Sequence, residues 1–358
     1  MHQFACRCGN SLQFNDSRCD VCGDDVGFDP LIFSVVSLAA HGAALERLRY
    51  CANVRWGVCN WVIGANDDHP LCLACQLNHV IPNLERAENR HAWIALEQAK
   101  KHLIYQILRL RLPVDAGAKS PPLRFDFVDD ALTGHRAGLI TVNLNEADPV
   151  ERERQRQLFG EPHRTLVGHM RHESGHYFWM RLIEHSDRLG AFRRLFGDER
   201  QDYAEALSRH HADGPPAEWR ERHVSAYASA HPWEDWAETW AHHLHMVEAL
   251  DTAHGMGVRV GNAGSGSFDA YAKTSFAELI DRWRALTVVM NGMNRALGLD
   301  DFYPCMLSQA AREKMAFIHE TVRALWTPLP TFGRSVRRRR PMPAAASLFW
   351  SRSASGSP

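Results

Sequence analysis

Two groups of residues in this 358-residue chain stand at spacings that metal chemistry needs. The first is His172-Glu173-Ser174-Gly175-His176, set within GHMRHESGHYFWMRL. Val167, Met170, Tyr177, Phe178 and Trp179 give this stretch helical, apolar patterning, and helical residues four apart share a face. Both imidazoles can then reach one zinc ion, while Glu173 addresses a water held by that ion. A helix buried by such neighbours would strip water from its His and Glu side chains, and a metal is their simplest partner. A catalytic zinc takes three protein ligands and keeps one position open, so a third ligand must come from elsewhere in the chain.

The second group is cysteine: eight of the nine fall between Cys6 and Cys75. Cys6-x-Cys8 is followed after ten residues by Cys19-x-x-Cys22, and the pairs run into Gly9 and Gly23. Two thiolates so close grip one ion only where the chain turns sharply, which glycine permits. Cys51, Cys59, Cys72 and Cys75 form a second set, so eight thiolates suffice for two structural four-cysteine zinc sites. Each set makes its own site, or the pairs interleave; spacing allows both. Closed sites leave no position for substrate, so this module is expected to bind or dock, with a protein partner as its target. Cys305 stands alone, as an expected core residue.

Downstream, HPWEDWAETWAHHLHM places Glu234, Asp235, Glu238, His242, His243 and His245 on one helix. Trp233, Trp236, Ala237, Trp240 and Leu244 form its apolar face, and Pro232 suits the first helical position. A third histidine from the first helix itself is excluded, because Trp179 and Leu182 occupy the positions where a metzincin has glycine and histidine.

The elements that must position these groups follow from periodicity. LRFDFVDD and AGLITVNLNEAD alternate as strands about the turn-like ALTGHR, which suggests a hairpin. Helical patterning covers the stretch from about His91 to Pro113 and, roughly, residues 162–184, 232–249, 275–297 and 309–326. Strands followed by helices predict an α+β fold. Residues 1–80 form the expected cysteine module, 90–330 a mostly helical domain with a small sheet, and 331–358 a disordered tail rich in Arg, Pro and Ser. Lys plus Arg total 41 against 42 for Asp plus Glu, so net charge gives no argument for nucleic acid. The absence of a signal-like start or a long apolar run leads us to expect a cytoplasmic protein without a membrane span.

HESGH followed by EDWAETWAHHLH resembles the gluzincin arrangement, including lethal-factor-like peptidases, in which a second helix carries a glutamate ligand. The resemblance implies Glu238 as third ligand of a catalytic zinc with His172 and His176, and leaves Glu234 as a neighbour behind it or a spare. More widely the chain resembles a bacterial family of zinc-binding metallopeptidases that begins with a zinc ribbon, from the first cysteines through LITVNLNEAD and HESGH to NRALGLDDFYP. The resemblance implies a zincin-like domain cleaving a peptide or protein. Chemistry then gives Glu173 the role of general base, and a further donor must steady the oxyanion. His231, seven residues before Glu238 at the positive end of the helix, is the expected donor, or else a helix cap; Tyr227 and Tyr177 are alternatives. GLITVNLNEAD is either the edge strand along which substrate pairs or an ordinary buried strand. His169 shares the face of His172 and is either a supporting partner or a plain core residue. The competing function is a zinc-ribbon protein- or nucleic-acid-binding protein whose HExxH domain is silent.

Overall fold

Short strands dominate the first 80 residues because cysteine, glycine and aspartate turns succeed one another too closely for longer elements. In the computed structural model, which describes residues 3–38, 48–117, 120–159, 165–259, 268–272, 274–304 and 306–324, this region holds three antiparallel pairs. β1 (Phe4–Ala5) pairs with β2 (Ser11–Leu12), β3 (Val26–Asp29) with β4 (Ser34–Ser37), and β5 (Leu48–Tyr50) with β6 (Val62–Gly64). After the one-turn helix α1 (Leu73–Gln76), strand β7 (Asn78–Val80) leaves the ribbon altogether. It joins a four-stranded sheet with β8 (Arg124–Val128), β9 (Gly134–Arg136) and β10 (Leu139–Asn143), in the order β7-β8-β10-β9.

Between β7 and β8 runs α2 (Ala87–Arg109), which lies against the ribbon. Phe14 meets the rings of His102 and Tyr105 at 5.1 and 5.5 Å, and Lys101 donates to Asn60 Oδ1 at 3.2 Å. Lys100, fully buried, donates to the carbonyl of Ala74 at 2.8 Å and pairs with buried Glu97 at 2.7 Å. The cysteine-rich region therefore shares a sheet and a helix face with the helical domain, and the described residues pack as one unit.

The expected β8–β10 hairpin is not formed: the two strands are parallel. The segment read as a turn supplies β9, which pairs antiparallel with β10 through a tight turn at Ala137 and Gly138. Both turn residues have positive φ, 48° and 87°, and a Cβ on Gly138 would lie 2.7 Å from Pro121 and from the carbonyl of Pro122. β10 is thus an inner strand and β9 the sheet edge.

The rest is helical: α3 (Pro149–Phe159), α4 (Leu166–Leu182), α5 (Leu189–Phe196), α6 (Tyr203–Asp213), α7 (Trp219–Arg222), α8 (Pro232–Gly255), α9 (Phe276–Ala296) and α10 (Gln309–Ala324). Ser174 and Gly175 let α4 and α8 approach closely, with the indole of Trp236 donating to the carbonyl of Gly175 at 2.9 Å and that of Trp240 to Ser174 Oγ at 3.1 Å. Phe178 stacks on Trp240 at 4.9 Å and closes the core between them. Among the described residues no helix is long and apolar enough to cross a membrane. Cys305 and the Arg-rich tail lie outside the described residues.

Candidate metal centre and active site

The cysteines sort by sequence order and do not interleave. Cys6, Cys8, Cys19 and Cys22 bring their sulfurs within 4.8 Å of one another, and so do Cys51, Cys59, Cys72 and Cys75. The Cys6–Cys22, Cys8–Cys19 and Cys59–Cys72 separations are 3.6, 3.7 and 3.7 Å. A tetrahedron with Zn–S bonds of about 2.3 Å has edges of roughly 3.8 Å, so both clusters have the size of a closed zinc site. Positive φ at Gly9 and Gly23, 87° and 74°, turns the chain after each knuckle of the first cluster.

In α4, Thr165 caps the helix by accepting from Gly168 N at 2.9 Å, and the one-turn offset brings the Nε2 atoms of His172 and His176 to 3.2 Å. Glu234 of α8 faces them, 3.0 Å from His172 Nε2 and 3.5 Å from His176 Nε2. These three residues are buried and their donor atoms lie within 4.8 Å of one another. Glu238 is not part of this cluster. Four residues along α8, about 6 Å of rise, carry it past the facing nitrogens, and its Oε1 lies 2.7 Å from His172 Nδ1 while its Oε2 accepts from Ser225 at 2.6 Å. The carboxylate named by resemblance thus backs a histidine, and the one held in reserve faces the cavity between the pair.

The residues fit a metal. With Nδ1–H of His172 given to Glu238, the Nε2 lone pair points into the cluster, the usual way a carboxylate fixes a ligating imidazole. Oε2 of Glu234 makes no hydrogen bond and has only its ion-pair contact with His172 Nε2 at 3.0 Å, a state a cation would relieve; beside the cluster, Oε2 of Glu173 is buried without a hydrogen-bond partner. Two imidazole nitrogens and one carboxylate make an N2O donor set suited to zinc with one position open. Burial works against charge on His172, yet Glu234 and Glu238 outweigh it and raise its pKa well above the ordinary value. Burial likewise resists ionising Glu173, and the neighbouring His169, His172 and His176 reverse that and lower its pKa.

Around the cluster lies a cavity of about 1020 Å³ bordered by β9, α4, α8 and the chain from Trp219 to Tyr227. His231 is not among its lining residues. It is the N-cap of α8: Nδ1 accepts from Trp233 N at 3.0 Å, and Nε2 faces the carbonyl of Gln201 at 3.3 Å. Both nitrogens serve backbone, which corrects the oxyanion role expected of it. Tyr177 is buried with its hydroxyl on the carbonyl of Pro121, whereas Tyr227 lines the cavity with its ring 6.0 Å from that of His172. Sequence reasoning missed Tyr203, whose hydroxyl donates to Glu234 Oε1 at 2.6 Å, and Ser225 behind Glu238. Neither belongs to a local motif. The strand edge beside the cavity is β9, through Gly134 and His135; GLITVNLNEAD supplies the inner strand β10 and lines the cavity from its far end, through Asn143, Asn145 and Glu146.

A zinc-ribbon domain model matches residues 3–86. Proteins of Mycobacterium bovis and of two strains of Mycobacterium tuberculosis, each named an uncharacterized protein, are 40% identical over 332 residues, covering 90% of this chain and 95% of theirs. No solved structure matches. The model for the family described as "Putative zinc-binding metallo-peptidase" matches residues 89–321, the span that contains the His172, His176 and Glu234 cluster, and the chain belongs to that family.

Proposed function

We propose that the chain is a zinc-dependent peptidase whose ligands are His172, His176 and Glu234 and whose general base is Glu173. The observation that carries this reading is the buried cluster of two Nε2 atoms and one carboxylate, with a second buried carboxylate, Glu173, beside it at the wall of a large groove. Zinc bound there supplies a Lewis acid that polarises a carbonyl and acidifies a water. Glu173 takes the proton of the attacking water and returns it to the leaving amine. Glu238 holds His172 in the required tautomer, and Tyr203 steadies the Glu234 carboxylate. Tyr227, lining the groove beside His172, takes the donor role first expected of His231. The free side of β9 offers backbone groups to an extended peptide.

The test is zinc content and cleavage of a quenched fluorescent peptide library by wild type, His172→Ala, Glu234→Ala and Glu173→Gln, each checked for folding. Two four-cysteine sites and one catalytic site predict about three zinc per wild-type chain, with one lost in the first two variants. Glu173→Gln should keep all three and lose cleavage by roughly 100-fold to 10,000-fold. A wild type that holds three zinc yet cleaves nothing in the library would instead favour a silent domain behind a ribbon that binds a protein partner.

A further inference from the structure

His169 stands one helical turn before Glu173, and each of its ring nitrogens meets a carboxylate. Nε2 lies 3.3 Å from Glu173 Oε1, and Nδ1 lies 3.2 Å from Glu146 Oε2. The three side chains are only 19, 7 and 10% exposed for His169, Glu173 and Glu146. Glu146 comes from the chain just after β10 and is itself placed: its Oε1 accepts from Thr133 at 3.3 Å and its carbonyl from Arg152 at 2.7 Å.

We propose that His169 is a positioning residue for the base, tethering the Glu173 carboxylate through its ring to Glu146 on the neighbouring wall. This rests on reading Glu173 as the base. A lone His–Glu pair at i,i+4 on a helix is a weak contact and would leave a three-torsion glutamate free to swing. The anchor at Glu146 changes that, because the ring is held from both sides and cannot follow a turning carboxylate. Both contacts are ion pairs; burial opposes a charge on the ring, yet Glu146 and Glu173 raise the pKa of His169 to about 9. With Oε1 of Glu173 engaged in this way, Oε2 is left buried without a hydrogen-bond partner, and that is the oxygen available to a reacting water.

Two isosteres separate positioning from mere packing. In His169→Gln the side-chain amide nitrogen can stand where Nε2 stood and still donate to Glu173; in His169→Asn it reaches only the Nδ1 position and serves Glu146. Crystal structures of both variants should show the Glu173 carboxylate in its wild-type place in the Gln variant and rotated away in the Asn variant. On the peptide that wild type cleaves best, the Asn variant should lose kcat on the order of 100-fold, the scale of a misplaced catalytic group, with KM little changed, and the Gln variant should recover most of it. Glu146→Gln cuts the tether from its other end without touching α4 and should displace Glu173 in the same way. An unmoved Glu173 carboxylate in the Asn and Glu146 variants overturns the proposal, as does equal kcat for the Asn and Gln variants. A wild type that cleaves no peptide would sink the peptidase reading alone, and the crystal structures would then decide the positioning role.

Discussion

Glu234 and Glu238 differ by one turn of the same helix, yet one faces the Nε2 atoms of His172 and His176 and the other meets the Nδ1 of His172. The consequence is measurable as zinc affinity by chelator competition. Glu234→Gln removes a charged ligand and should release one zinc outright. Glu238→Gln should keep that zinc with affinity lower by roughly 10- to 100-fold, the usual cost of losing the partner of a ligating histidine; equal loss from both would put Glu238 in the coordination sphere after all. His231 makes the converse case. Because its ring caps α8 through Trp233 N, His231→Ala should cost about 0.5–2 kcal/mol in urea unfolding and leave kcat on a cleaved peptide essentially unchanged. The motif residues were legible because they fall within one turn of one helix, where spacing fixes geometry. The carboxylate on the facing helix was not, since its choice depends on how two helices meet. The reach of His231 was argued from Glu238, and that argument moved with the ligand.

At the scale of elements, the meeting of α4 and α8 is decided by Ser174 and Gly175, the two residues between Glu173 and His176. A Cβ built on Gly175 would stand 2.8 Å from the Cα of Ala237 and 3.2 Å from its carbonyl oxygen, backbone atoms that cannot step aside singly. The indoles of Trp236 and Trp240 bond to Gly175 and Ser174 from the same helix, so the crossing is fixed by contact and by hydrogen bonds. Gly175→Ala should therefore push the helices apart, destabilising the protein by about 1–3 kcal/mol. It should also draw Glu234 from the histidines, so that the catalytic zinc weakens while both cysteine sites keep theirs. An unchanged melting temperature with full zinc content would mean that the crossing is softer than this packing implies. Helix positions were readable from apolar periodicity at the five longest helices, α2, α4, α8, α9 and α10, but not at α3 and α6, whose 11 residues each carry too little apolar pattern. The sheet was less so: β9 is three residues, too short to show alternation, and its pairing with β10 depends on a turn at Ala137-Gly138 whose positive φ at alanine no composition rule anticipates.

On the scale of the whole molecule, the ribbon is built into the enzyme-like part instead of being appended to it. β7 comes directly after the Cys72–Cys75 knuckle and is the outer strand of the sheet whose far edge, β9, borders the groove at the His172, His176 and Glu234 cluster. Lys100 ties the same knuckle to α2 through the carbonyl of Ala74, and Cys75 Sγ lies 3.5 Å from the buried Glu97 beside it. The two zinc sites should therefore differ in reach. Cys51, Cys59, Cys72 and Cys75 are all buried, whereas Cys8 and Cys22 of the first cluster are exposed. A structural zinc contributes an apparent 10–16 kcal/mol or so, against about 5–15 kcal/mol for the net stability of a whole domain. Losing an ion whose shell is shared with the sheet thus outweighs the stability left to the domain. Losing one whose shell is confined to surface hairpins costs mainly those hairpins. Cys8→Ser should release one zinc and leave the catalytic metal and the main thermal transition in place. Cys72→Ser should abolish the cooperative transition and release the catalytic zinc as well, although its ligands lie 100 and more residues away in sequence. Zinc analysis and a thermal melt of the two variants beside wild type decide the point: if Cys72→Ser keeps its catalytic zinc and melts cooperatively, the ribbon is a separable module and the shared sheet does not couple it to the active site.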